Sequence, residues 1–171
     1  LGGLSKSVGL PQGKLGWLTV EGPDTDVRDA LTRLEFICDA YLSVSIPVQK
    51  AAPELIARGQ PVRDQIAERV RGNYERLRQL IALHPALELL VAEAGWSAVL
   101  RVPARETEEE IVLELLDRDS VVVHPGFFFD FPREAFLVLS LLPPVQVFEE
   151  GVKRVADRLG SDRATSVSRR R

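Results

Sequence analysis

Leu1-Gly2-Gly3-Leu4-Ser5-Lys6-Ser7-Val8-Gly9-Leu10-Pro11-Gln12-Gly13-Lys14-Leu15-Gly16-Trp17-Leu18 opens the chain and decides how the rest is read. Lys6 stands between two serines, with glycines on either side, so another body can approach the backbone closely. A Gly/Pro turn then carries a second cation, Lys14, eight residues on, and can fold it back toward Lys6. Backbone N–H groups and two ammonium charges in a glycine-rich loop suit an anion such as phosphate.

Residue types and spacing in this stretch resemble the lysine motif of the class I/II aminotransferases, the fold-type-I pyridoxal-phosphate enzymes. Leu4, Ser5, Lys6, Ser7, Gly9, Leu10, Pro11, Leu15, Gly16 and Trp17 fall in step with that motif. Two positions depart from it. Gly3 stands where the family often has a phosphate-binding serine, and Lys14 replaces the usual phosphate-binding arginine. Lysine supplies charge as a point donor, without the bidentate fork of a guanidinium.

Composition sets the outer bounds. The 171 residues are 45% apolar and 27% charged with net charge -3, ordinary for a globular protein of one sizeable core or two small ones. No run of eighteen apolar residues suggests a membrane span. A single cysteine, Cys38, cannot form an internal disulfide, which fits a reducing, cytoplasmic setting. The chain contains no methionine and opens inside a motif, so it reads as the C-terminal portion of a longer protein.

Working outward, Leu15 to Val20 reads as a short buried strand ended by Glu21-Gly22-Pro23. Asp24 is the expected N-cap of a helix over 25–42, with Val27, Leu31, Leu34, Cys38 and Tyr41 as its core stripe. Cys38 is therefore expected to be a small core residue. A shorter helix follows Pro47 to about Ala57, and Arg58-Gly59-Gln60-Pro61 reads as a joint.

Pro61 begins a long helix to about Leu83, with Val62, Ile66, Val70, Tyr74, Leu77 and Ile81 on one face. Arg63, Arg69, Arg71, Arg76 and Arg78 lie on the other, interleaved with Asp64, Glu68 and Glu75 and without an aromatic ladder. That pattern reads as a solvated face, not a nucleic-acid surface. His84-Pro85 ends the helix, where a cation is favoured by the dipole.

Beyond it the pattern gives a strand at Trp96–Val102, then a helix to about Leu116 opened by a Thr107/Glu110 capping box. A short strand at Val121–His124, an aromatic loop Phe127–Phe131 and a strand at Phe136–Leu142 follow. Pro143-Pro144 opens a last helix to Leu159. Residues 161–171 lack an apolar pattern and read as a disordered tail.

The order after residue 60 resembles the small C-terminal domain of the same family, with Gly95-Trp96 and Val123-His124-Pro125-Gly126 matching its strand entrance and its Pro-Gly turn. The resemblance implies an α/β chain. Residues 1–60 would end the large cofactor-binding domain, 61–160 form the small domain, and 161–171 the tail. It also exposes an absence. The family's substrate-carboxylate arginine precedes Leu-Ser in the last strand, and here that position is Val138 before Leu139-Ser140. Either a relocated cation, Arg101 or Arg133, replaces it, or the substrate has no α-carboxylate at that spot.

The resemblance implies pyridoxal 5'-phosphate held by Lys6 as a Schiff base, with Lys14 and Ser5 helping to bind it. No metal is called for. The freed Lys6 amine would move a proton between substrate Cα and the cofactor, which does the chemistry. That job calls for an uncharged amine, which burial and nearby positive charge both favour. Phe127–Phe131 either walls the substrate pocket or packs between domains. Three classes stand: an aminotransferase acting on an amino acid and a 2-oxo acid as a homodimer, another fold-type-I enzyme such as a lyase or decarboxylase, and a non-catalytic binding module.

Overall fold

The computed structural model describes residues 1–133 and 135–160; the expected tail at 161–171 lies outside the described residues. The chain divides into two compact units, Leu1–Ile66 and Ala67–Arg171.

The first unit starts with β1 (Gly2–Gly3), the one-turn helix α1 (Leu4–Ser7), a 3-10 turn (Pro11–Gly13) and β2 (Gly16–Trp17). Helices α2 (Asp24–Asp39) and α3 (Ile46–Arg58) follow, and α4 (Gln60–Ile81) begins here and continues into the second unit. Only Gly59 separates α3 from α4. Pro47 sits in the first turn of α3, where its missing N–H costs nothing.

Three expectations fail in this unit. The strand expected at 15–20 is only Gly16–Trp17, and it is exposed rather than buried. Among the described residues of the unit it has just the two residues of β1 to pair with. Asp24 is the first helical residue of α2 and not its cap; Pro23 occupies the cap position without a side-chain hydrogen bond. The α2 stripe is not a core either. No residue of α2 is buried, and Leu31, Phe36 and Cys38 are all exposed. A periodic stripe shows which face is apolar, but the unit supplies no surface to cover it.

The second unit is built on a four-stranded antiparallel sheet in the order β3-β4-β6-β5. Its strands are β3 (Glu88–Leu89), β4 (Ser97–Arg101), β5 (His124–Pro125) and β6 (Phe136–Ser140). β4 and β6 pair along their full length, from Ser97↔Ser140 to Arg101↔Phe136. Alternation puts Ala98 and Leu100 with Leu137 and Leu139 on one face. There they form a continuous core with Leu77 and Ile81 of α4, Ile111 and Leu115 of α5 (Glu108–Asp119), and Phe148, Val152 and Val155 of α6 (Val145–Leu159).

Local rules explain most of this frame. The Thr107 hydroxyl accepts from Glu110 N–H at 3.2 Å, and the Glu110 carboxylate accepts from Thr107 N–H at 3.0 Å, giving the expected capping box. Hydrogen bonds donated by the Thr107 N–H and, at 2.9 Å, by its hydroxyl hold the Glu110 carboxyl below its ordinary range. β5 lies further along the chain than the expected strand at Val121–His124. Ser120 is left-handed (φ 54), and the Ser120 and Val121 N–H groups turn back to Leu116 and Leu115 carbonyls. Those bonds finish α5 and remove Val121 from any ladder. Buried Asn73 donates to Leu141 O (3.0 Å) and Pro143 O (2.9 Å), tying α4 to the corner where β6 becomes α6.

A mostly buried ion cluster locks α6 to α5. The Arg158 guanidinium donates to both oxygens of Asp119, one of them at 3.0 Å, and to Glu114 at 3.3 Å. The hydrogen bond from Arg158 holds the Asp119 carboxyl below its usual range. A carboxyl with a depressed pKa contributes stability above its unfolded value, and that contribution disappears as pH falls through the folded value. Arg158→Met is expected to cost about 1–2 kcal/mol near neutral pH. The gap between the two proteins should narrow as pH falls below about 4. Chemical denaturation at pH 7 and pH 3 checks this; an equal gap at both pH values counts against it.

Candidate functional site

The lysine stretch folds as a closed loop. β1 and β2 pair antiparallel, Gly2 with Trp17 and Gly3 with Gly16, and Leu4 N–H reaches Leu15 O at 3.0 Å. Leu4 O accepts twice, from Val8 N–H at 3.2 Å and Leu10 N–H at 3.1 Å. A four-residue helix cannot hold itself in water, because nucleation is unfavourable. Burial holds it instead: Leu4 is fully buried and Val8 nearly so.

Val8 fits because Gly59 stands opposite. A Cβ at Gly59 would lie 2.1 Å from Val8 Cγ1, inside any permissible contact. The departure at Gly3 has a similar basis. Its backbone is extended, and a Cβ there would stand 3.1 Å from Leu15 O, so a serine would require that carbonyl to give way.

Lys6 is exposed on α1, Ser5 is half-buried beside it, and Lys14 is exposed on the same loop. The loop therefore brings the expected site residues together, but it does not bury Lys6. Lys14 holds a left-handed conformation (φ 49), closing the 3-10 turn through its N–H to Pro11 O at 3.4 Å. A non-glycine residue in that region carries about 1 kcal/mol of strain.

Arg63, assigned from its pattern to a solvated face, has a different place. Its Nη1 donates to Ser7 O at 3.0 Å, capping the end of the lysine turn. Gln60 Oε1 accepts from Arg63 Nη2 at 2.6 Å, and Gln60 Nε2 donates to Asp64 at 2.7 Å, so the guanidinium is held on both sides. Spacing along α4 could not reveal a carbonyl fifty-six residues away.

A family model described as aminotransferase class I and II matches residues 1–158. The chain belongs to that family. It is 34% identical over 96 residues to LL-diaminopimelate aminotransferase of Nitratidesulfovibrio vulgaris, covering 54% of this chain and 25% of that protein. It is 21% identical over 162 residues to glutamate-pyruvate aminotransferase AlaA of Haemophilus influenzae, covering 91% and 40%. In structure it is similar to a PLP-dependent aminotransferase from Streptococcus suis, with TM-score 0.72, 19% identity, and coverage of 94% and 42%. The α/β fold is that of these enzymes. The chain spans between a quarter and about two fifths of the length of these relatives.

In this chain of the class I and II family, Val138 is buried in β6, opposite Val99 and His124. Neither cation named for the missing arginine stands free at that spot. Arg101 pairs with Glu88 at 2.7 Å, and the Arg133 guanidinium lies over the Phe136 ring, 5.9 Å from its centre. Among the described residues, no three His, Cys, Asp or Glu side chains are grouped to hold a metal ion.

Gly59→Ala is expected to push Val8 outward and destabilise the lysine loop by about 1–3 kcal/mol. Denaturant unfolding of the chain and limited proteolysis within 1–17 check it. An unchanged midpoint together with an uncut loop would refute the role given to this contact.

Proposed function

We propose that the protein carrying this chain is a pyridoxal-phosphate-dependent aminotransferase, moving an amino group between an amino acid and a 2-oxo acid. The observation that carries the reading is an accessible lysine, Lys6, fixed on a closed glycine-rich loop in a chain of the aminotransferase family. Cysteine usage supports a reducing, cytoplasmic compartment, and the family resemblance supports a homodimer.

The residues present suit the cofactor. Lys6 offers a primary amine, Lys14 an exposed ammonium and Ser5 a hydroxyl, all on one loop. Lys6 would hold the cofactor through its amine, while Lys14 neutralises part of the phosphate charge and Ser5 donates a hydrogen bond. When bound, the cofactor supplies an electron-accepting ring for the electrons of the substrate Cα–H bond. With the substrate amine in its place, Lys6 Nζ would serve as the general base that takes the proton from the substrate Cα. The Arg63 bond to Ser7 O keeps the turn bearing Lys6 from unwinding during that exchange.

Valine at 138 favours a second reading, a fold-type-I lyase or decarboxylase, which a requirement for a 2-oxo acid co-substrate separates from the first. Borohydride reduction of the full-length protein with pyridoxal phosphate is expected to add the cofactor mass to Lys6 and collapse the visible band. Label on another lysine, or none, would sink the proposal. The 171-residue chain alone, whose first unit buries only Leu4 and Val8 among its apolar side chains, is expected to give no transamination with added cofactor. Turnover of an amino acid by the isolated chain would overturn that expectation.

A further inference from the structure

The ladder between β5 and β6 opens after one hydrogen-bonded pair. Pro125, paired with Leu137, has no N–H to give, so His124 and Val138 are the pair that exchanges two bonds. Alternate residues of β6 then turn their N–H and C=O toward β5, and Ser140 is the next to do so. Leu141, one residue on, points the other way, its N–H reaching Trp96 O at 2.8 Å. Val122 holds the register position opposite Ser140. Val121 N–H has already turned back to Leu115 O, and among the described residues no backbone hydrogen bond joins Val122 to Ser140. Ser140 therefore keeps an N–H and a carbonyl aimed at an open sheet edge.

That edge borders an open cavity of about 480 Å³, formed within the second unit by residues 120–123, the end of β6 and the first turns of α6. Its lining is mainly apolar. Leu139 is buried there, while Val122 and Val147 are 74% and 63% exposed. Gly151 belongs to the α6 wall. Glycine inside a helix is destabilising relative to alanine, and a Cβ at Gly151 would meet no atom within 4 Å. Packing among the described residues thus gives no reason for it, and the missing side chain leaves room to approach the helix backbone. The charges in the lining offset one another: Arg154 donates to Glu150 at 3.0 Å, and also to Asp119 O at 2.9 Å. The cavity offers apolar surface and main-chain hydrogen bonding without net charge.

We infer that this cavity is a binding site for a small uncharged molecule that combines an amide with a branched aliphatic group. The ligand amide pairs with the Ser140 main chain, in the place a further strand residue would take, and the aliphatic group fills the space beside Val147 and Gly151. An ionised ligand is disfavoured, because it would lose hydration against apolar walls where the cation is already paired. Only residues of the second unit are involved, so the inference stands or falls independently of the Lys6 labelling.

The test is amide-resolved NMR of the 171-residue chain titrated with N-acetyl-L-leucinamide, a neutral probe with two amides and one branched side chain. Saturable shifts are expected at Val122, Ser140 and Gly151, with hydrogen exchange of the Ser140 N–H slowed about tenfold at saturation. N-acetylglycinamide, which lacks the side chain, and N-acetyl-L-leucine, which carries a carboxylate, are each expected to bind about tenfold more weakly. Gly151→Leu places a side chain in the cavity and suits a helix, so it should keep the unfolding midpoint while weakening the probe about tenfold or more. Val147→Asp puts a charge in the lining at an exposed position of the first turn of α6, and it carries the test if Gly151→Leu fails to fold. Absence of saturable shifts, shifts not confined to 120–155, equal affinity for the three probes, or unchanged affinity in the variants would overturn the proposal.

Discussion

Burial of Leu4 is the constraint on which the lysine loop depends. Its side chain is fully inside, its N–H closes the loop to Leu15, and its carbonyl takes two more N–H groups. Val8, four residues on, lies on the same side of the turn and fills the space left by Gly59. Lys6, midway between them, is consequently turned outward. Two apolar side chains, each contributing about 1.5–3 kcal/mol on burial, thus set the direction of the lysine. The Arg63 bond to Ser7 O adds a polar fixing where apolar contact ends. A four-residue helix held this way owes its existence to tertiary contacts, since its own hydrogen bonds are too few.

The second unit reaches order by a different route. Its helices have long apolar stripes, its central strands alternate cleanly, and one face of the sheet gathers almost all of its core. The opposite face has a different composition. Its charges are tied up locally, Arg101 with Glu88 and Arg133 on an aromatic ring, so the middle of that face is apolar at Val138. Valine there suits a paired, buried strand position without any ligand, whereas a buried arginine would need a counter-charge to offset its desolvation.

Elements set by dense periodicity or by local chemistry were legible from the sequence. The α4 face from Val70 to Ile81, the α6 face, the Thr107 capping box and the β4 and β6 strands all follow from residues a few positions apart, while Val62 at the start of the expected α4 face is exposed. The misreadings have different causes. The α2 stripe and Cys38 read as core because periodicity cannot say whether a covering surface exists in the unit. Val121 was lost to the strand because the end of α5 claims its N–H. Arg63 read as solvated because its acceptor is the lysine turn. In the site, the motif located Lys6, Lys14 and Ser5 on one loop, but it gave no sign of how the turn is braced.

Glu108 is the clearest case of information that only the fold contains. It sits in a run of three glutamates, Glu108-Glu109-Glu110, which local rules treat alike as favourable charge at a helix start. Glu110 satisfies the capping box, Glu109 is exposed, and Glu108 alone is carried inside by the packing of α5 on the sheet. The rotation of α5 that buries Ile111 and Leu115 also turns Glu108 inward, because positions three and four apart share a helical face. Core packing therefore aims the carboxylate, and the carboxylate in turn places the aromatic turn. Through that sequence of causes, a hydrophobic stripe on α5 fixes the backbone of the aromatic turn at Phe127, whose N–H the Glu108 carboxylate accepts.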